Sequence, residues 1–500
     1  MASFNTINAH DADCRYPAFL GLNQYGQETM TDQRYAVDEK NVETINGTMQ
    51  PCAKCELLPP TLESPIETLA LLHRRWTEDT EKDILVAASG GKLYWAYPDA
   101  TEWAEIELPE GVEAFESSEW SCVTYEINPE GSAASVDVLL MSNAKDGMVM
   151  VRGDTKTATL VETPKRFGVI ERYAERIWGG AIENDPDMLV YSAPFDPTDW
   201  EADAEIPEDG AGDVMQPSWD GDAFTAIKSF GSQLIAFKRT RVWRVYGTNP
   251  GEYMFNEQYG GGVPYAQTIG VDVDKILALT DRGPVYYDGS AVQPFYQEYV
   301  EDIFHRRINK SAMAKACACM WRGKYYAALP VDGSEINNSV LVYDTQERTW
   351  LFRDDLNIEA FLPGETALYF TSSTTPGRVW LWHENSWETE ECTTAPAKWV
   401  SPWTELGYRQ MTKGPWDCYL LVEVKDKPVV LRVSVQTEKK TMTKKYIVFP
   451  VTDPNQGHKQ KRLHFPGYGR RFRLIIESEE GSPCWRIIGG VMLVAEVDRD

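Results

Sequence analysis

From about residue 66 to residue 400 the chain alternates apolar and polar positions in short runs, broken by Gly, Asn, Asp or Pro. This period of two is the signal of half-buried β-hairpins. It is clearest in "RIWGGAIENDPDMLVYSAPFDPTDW" (176–200) and "FTAIKSFGSQLIAFKRTRVWRVYG" (224–247). Similar units begin near Asp83, Val136, Thr268, Ala316 and Ile358, which makes seven in all at intervals of roughly forty residues, the spacing of propeller blades. Several place aromatics on the strand after a turn, as in "GKLYWAY", "GPVYYDG", "GKYYAALP" and "GRVWLWHENSW". A sheet patterned in this way cannot cover both faces by itself, so neighbouring units must stack, and radial stacking leaves only short edges. The expected fold is all-β: a β-propeller of about six to eight blades over residues 66–400.

The flanks read differently. Residues 1–65 are rich in Gly, Asn, Gln and Pro without sustained periodicity, and predict an extended docking arm with a turn at Asn46–Gly47. "SPIETLALLHRRW" (64–76) has a capping Ser, a Pro at the first helical position and Glu67 three residues on, which predicts a short helix. "QEYVEDIFHRRINKSAMAKA" (297–316) reads as a helical insert between two blades, and 201–222 as an acidic insertion without strand pattern. After about residue 401, "WDCYLLVEVKDKPVVLRVSVQTEKKTMTKKYIVFPV" and "KRLHFPGYGRRFRLIIESEEGSPCWRIIGGVMLVAEV" alternate strictly, which predicts a C-terminal antiparallel β-sandwich over 401–500.

Charge sharpens this picture. The chain carries 49 Lys plus Arg against 76 Asp plus Glu, a formal net charge of -27. That excludes a surface that wraps nucleic acid or coats anionic lipid throughout. The imbalance is local. Residues 181–222 hold thirteen Asp or Glu and no Lys or Arg, whereas residues 425–473 hold thirteen Lys or Arg against three acids. The start of the chain has no basic segment followed by an apolar run, and no stretch is apolar enough to span a membrane, so no membrane insertion is expected. Nine scattered cysteines, an odd number, read as reduced thiols.

Motifs that carry chemistry are few. Cys52 and Cys55 form a CxxC, and Cys317 with Cys319 a CxC, but this spacing fits buried thiols better than a zinc site. The six histidines show no metal-ligand spacing, and "YGGGVPY" (259–265) lacks the Lys and Ser/Thr of a phosphate loop and reads as a turn between blades. Asp196 and Asp199 are candidates for a glycoside hydrolase pair, yet Asp and Pro are also what a turn after a strand requires. The reading is therefore not an enzyme, with no catalytic, cofactor-binding or metal residue assigned.

The order of these parts carries a resemblance. An extended arm with "KNVETINGTMQ", then "RIWGG" and "PDMLVYSAPFDPTDW", "GSQLIAFKRTRVWRVYG", "DRGPVYYDG" and a terminal sandwich resembles the β-propeller tail proteins of short-tailed bacteriophages, the nozzle or tail tubular protein B class, also called head-completion stabilisation proteins. The resemblance implies a structural virion protein of the tail, made in the host cytoplasm. It implies a ring of usually six copies around the channel through which DNA leaves, bound to a portal or adaptor ring and to tail fibre or tail-tip proteins. Acidic side chains at Glu201, Asp203, Glu205, Glu208, Asp209 and Asp213 would then face the lumen or a neighbouring subunit, where carboxylates repel passing phosphates. Lys439, Lys440, Lys444 and Lys445 would form a docking face, or would simply protect a strand edge. A receptor- or glycan-binding propeller at the tail tip is the alternative, and a propeller glycoside hydrolase a third reading.

Overall fold

The computed structural model describes residues 11–72, 83–128, 135–215, 222–387, 394–408, 410–451, 460–479 and 481–497. Seven four-stranded antiparallel sheets follow one another along the chain. Blades 1 to 6 span 68–105, 121–161, 169–215, 226–258, 270–294 and 317–354. Blade 7 uses 360–382 and takes its fourth strand, Glu56–Thr61, from before blade 1. The first strands of most successive blades lie side by side, which puts them at the hub and the fourth strands at the rim. Each of the seven units read from the sequence falls in a sheet of its own.

The alternation explains why the sheets stack. In blade 4, Ala226, Ile235, Phe237 and Val242 point into the core shared with blade 5, while Ile227, Leu234, Ala236, Trp243 and Val245 point into the core shared with blade 3. The same holds around the ring, so that one apolar core fills each of the seven gaps between neighbouring blades. The gap between blades 7 and 1 is filled by Leu58 of the closing strand with Ile66, Leu71, Leu85, Tyr369 and Val379. Gly377 makes this closure possible: a Cβ there would lie 2.2 Å from the Leu62 carbonyl oxygen.

Two further sheets face each other as a sandwich. One has the order Val42–Ile45, Thr48–Pro51, Trp485–Val497, Lys413–Val424, Lys461–Phe465, with Asp11–Tyr16 also paired to Trp485–Val497. The other runs Asp38–Lys40, Lys398–Val400, Phe472–Ser478, Val429–Thr437, Thr441–Val448. Their shared core contains Trp399, Trp416 and Trp485, with Tyr16 and Phe19 edge-on to Trp399 at 5.7 and 5.2 Å. The sandwich leans on the rim of blade 6, where Leu22 N donates to Trp350 O (2.8 Å), Asn41 N to Phe352 O (2.9 Å) and Asp354 N to Asn41 Oδ1 (2.9 Å).

Several expectations are corrected. Residues 11–61 are not an arm reaching for another molecule. They supply four strands to the sandwich and one to blade 7, so their docking partner is their own chain. The Asn46–Gly47 turn is present, with φ of 49° and 73°, and closes the hairpin of Val42–Ile45 with Thr48–Pro51. No helix starts at Ser64; Thr68–Leu72 is the hub strand of blade 1, because a strand covered on both faces has the same unbroken apolar run as a buried helix. The remainder of that segment, 73–76, lies outside the described residues. The insert at 297–316 consists of three short helical turns whose Val300, Ile303, Phe304 and Met313 join the core between blades 5 and 6.

The closing strand gives a first prediction. Leu58→Ala should lower stability by about 2–4 kcal/mol, the usual cost of emptying a buried leucine site. Urea unfolding followed by tryptophan fluorescence reads it, and an unchanged midpoint would mean that the ring does not depend on this strand.

Candidate functional site

The acidic insertion expected over 201–222 is shorter than that: Gly212–Met215 is the fourth strand of blade 3, with Val214 packed on the core toward blade 4, and the acidic loop joins it to the third strand, Met188–Tyr191. It is folded against the blade by one buried cation. Arg176 opens the second strand of that blade and is 2% exposed. Its guanidinium donates to Ser192 O (2.8 Å), Gly210 O (2.7 Å) and Glu208 O, and lies over the Tyr191 ring. Acidic side chains supply the local turns: Asp203 Oδ1 accepts from the backbone N–H groups of Glu205 (2.7 Å) and Ile206 (2.9 Å), which holds its carboxyl below the usual range. Asp196 Oδ1 accepts from the backbone N–H of Thr198 (2.9 Å) and Asp199 Oδ1 from that of Glu201 (2.9 Å). The pair thus stands on an exposed loop as turn acceptors.

All six acids of the expected contact face, Glu201, Asp203, Glu205, Glu208, Asp209 and Asp213, are exposed, and none has an ion-pair partner among the described residues. The loop also exposes Phe195 (72%) and Ile206 (53%).

The four lysines lie elsewhere. Lys439 and Lys440 sit in the turn between Val429–Thr437 and Thr441–Val448, and Lys444 and Lys445 on the latter, which is the last strand of its sheet. All four are exposed and without ion-pair partners among the described residues. Glu438, the acid beside them, is engaged by the N–H groups of Arg470 (2.9 Å) and Arg471 (3.3 Å). The structure therefore does not bring the acidic and basic groups together within one chain. Blade 3 is three places from blade 6, the farthest apart two blades of a seven-membered ring can be. The sandwich touches blade 6 through Asp38–Lys40, the opposite edge of the sheet from the lysine strand. Four strand spacings separate those edges, about 19 Å. The two charged faces thus lie on separate parts of the fold, the acidic one at the rim of blade 3 and the basic one at the edge of the sandwich away from its blade 6 contact.

Between the two bodies runs a seam that sequence reading did not find. Glu39 and Glu43 are buried there, on the two short strands that pack against blade 6. Burial pushes the Glu43 carboxyl up to about 7, opposed by the nearby charges of Arg353 and Lys324. Glu39 is raised as well, by burial, with Phe352 N donating to its Oε1 (3.2 Å). Arg353 donates from Nη2 to Ala53 O (2.7 Å), and its guanidinium lies 4.0 Å from the centre of the Trp382 ring. A cleft of about 460 Å³ opens along this seam beside Cys55, Asp355 and Trp380. Cys55 packs on the core that contains Cys317 and Cys319, while Cys52 lies beside Glu43. Burial raises all four thiols, Cys317 to about 12, so they are protonated packing groups. No group of three or more His, Cys, Asp or Glu that could hold a metal occurs among the described residues. Cys484 is disulfide-bonded, which departs from the expectation of reduced thiols throughout.

No protein-family model matches the chain, and no curated protein does. Among solved structures it is similar to β-propellers. The Neurospora crassa Pan2 WD40 domain is 9% identical over 67% of this chain and 98% of that one, with a TM-score of 0.39. BamB from Moraxella catarrhalis is 9% identical over 70% and 99%, with a TM-score of 0.38. The extracellular domain of the B. thetaiotaomicron hybrid two-component system BT4673 is 8% identical over 85% and 61%, with a TM-score of 0.44. At these values they bear on no function. No helix among the described residues is long and apolar enough to cross a membrane.

Two outcomes are expected. Arg176→Gln should free the acidic insertion, since loss of the guanidinium strips donors from buried carbonyls at ~1–3 kcal/mol each. Limited proteolysis within 201–209 should then be faster by at least about tenfold, while the blades stay resistant; equal cleavage rates would deny Arg176 this role. Glu43 holds its proton more tightly in the folded protein than in the unfolded chain. Its contribution is therefore fully present below about pH 4.5 and is lost as pH rises through 7. Stability should fall on the order of 3 kcal/mol across that window, and Glu43→Gln should flatten the profile in urea titrations at stepped pH.

Proposed function

We propose that this protein is a non-catalytic assembly subunit of the nozzle kind in a short-tailed phage tail, whose copies join head to tail into a ring around a DNA channel. The observation that carries this reading is the pair of exposed surfaces of opposite charge, without ion-pair partners among the described residues, on separate parts of one chain. Two copies could pair both faces at once about a two-fold axis; in the ring, instead, the acidic face of each copy meets the basic face of the next. Such contacts are heterologous and close into a ring when the rotation between copies allows it. The acidic loop is held rigidly enough by Arg176 to serve as a contact, and the sandwich is locked to blade 6 along a hydrogen-bonded seam, so the separation of the two faces is fixed. A portal or adaptor ring and tail fibre proteins would bind the faces that the ring leaves open. Its lumen would repel DNA phosphate wherever the acidic loops face it.

Light scattering of the purified protein should show oligomers near 0.1 M salt that dissociate toward about 1 M, because exposed charge pairs are screened over that range. Reversal of Glu201, Glu205 and Glu208 to Lys should weaken association by at least about tenfold, and reversal of Lys439, Lys440, Lys444 and Lys445 in the partner should restore it. A monomer at every salt concentration would overturn the assembly. Antibody to the protein should label the tail axis in electron micrographs of phage particles; label on peripheral spikes would move it to another place in the virion.

A further inference from the structure

Of the strands that end their sheets, two carry the charged faces, and among the described residues each is paired along one edge. Among the described residues, Thr441–Val448 pairs with Val429–Thr437 and with no other strand. Gly212–Met215, the rim strand of blade 3, pairs among the described residues with Met188–Tyr191 and with no other strand. On the first, Lys445 and Ile447 face solvent, with Ile447 directly across from Val430, and the row continues through Phe449. Ile447 is 49% and Phe449 67% exposed. On the second, Asp213 and Met215 face solvent, Met215 at 56%.

A strand edge that only needs protection carries charge and no apolar surface. Here lysines and an apolar row share one exposed face, the combination that a partner strand would cover. The order along the strands also matches. Asp213 and Met215 are two residues apart, as are Lys445 and Ile447, so a parallel alignment sets acid beside lysine and methionine beside isoleucine on the same face.

Resting on the head-to-tail reading above, we infer that copies join by strand addition: Gly212–Met215 of one copy continues the sandwich sheet of the next along the free edge of Thr441–Val448. Backbone hydrogen bonds then supply affinity and the alternate side chains supply register. The acidic residues before Gly212 lie over the turn that holds Lys439 and Lys440, which makes the salt-sensitive contacts the steering part of the interface and the strand pair its fixed part.

Asp213→Cys and Lys445→Cys proteins, mixed at low salt and oxidised, test this directly. A disulfide-linked dimer should form in the mixture, at a yield at least about tenfold above that of either variant alone. A second mixture, Met215→Cys with Ile447→Cys, should behave in the same way and reports the register. If both mixtures remain unlinked while light scattering still shows oligomers, strand addition is overturned and head-to-tail association stands. If no oligomer forms, both fail. Equal linking in either single variant overturns the pairing, since it would place identical surfaces together.

Discussion

A blade of this protein has two apolar faces and no core of its own, and the rest of the structure follows from that constraint. Each strand sends alternate side chains into the gap on either side, as blade 4 does with Ile235 and Phe237 toward one neighbour and Leu234 and Ala236 toward the other. An open row of such blades would leave an apolar face bare at each end, so the row must close. Closure here uses Glu56–Thr61, which lies ahead of blade 1 in the chain and last in blade 7. The choice ties the N-terminal side of the chain to the ring and fixes where the next segments can go.

That tie explains the second body. A chain that leaves the sandwich region, closes the ring and returns after blade 7 must have its two ends beside each other, and the sandwich is built from both: Asp11–Tyr16 pairs with Trp485–Val497, and Asp38–Lys40 with Lys398–Val400. Tyr16 and Phe19 against Trp399 make the two ends one core. The seam on blade 6 is the consequence, and its buried Glu39 and Glu43 are tolerated because Phe352 N, Gln50, Arg353 and Lys324 lie close by.

The propeller was legible because its signal is local. Seven alternating units and the acidic insertion could be read from spacing and composition alone, and so could the Asn46–Gly47 turn. Features decided by distant partners could not. The run "LALL" at residues 69–72 is a strand only because blades 7 and 2 cover it, and "TMQP" at 48–51 pairs with a strand that lies more than four hundred residues later. The acidic and basic face residues were legible as exposed charge, since composition reports solvation. Arg176 was not, although a charged residue at the head of the apolar run "RIWGG" is a signal that it must find acceptors inside.

Acidic insertions are easiest to place where they disturb no core, and a connection between the third and fourth strands of a blade reaches the rim, away from the hub. What is unusual is that this one is fastened. A solvated loop needs no buried guanidinium, and Arg176 carries the cost of burial for its whole side chain in order to hold carbonyls of Ser192, Glu208 and Gly210. A loop fastened in this way is ordered by its own chain, as is the lysine-bearing edge of the sandwich sheet. In the proposed assembly, association would lose little further entropy of ordering, and surfaces fixed in this way would specify one angle between copies, which a closed ring requires and a flexible charged tail could not provide.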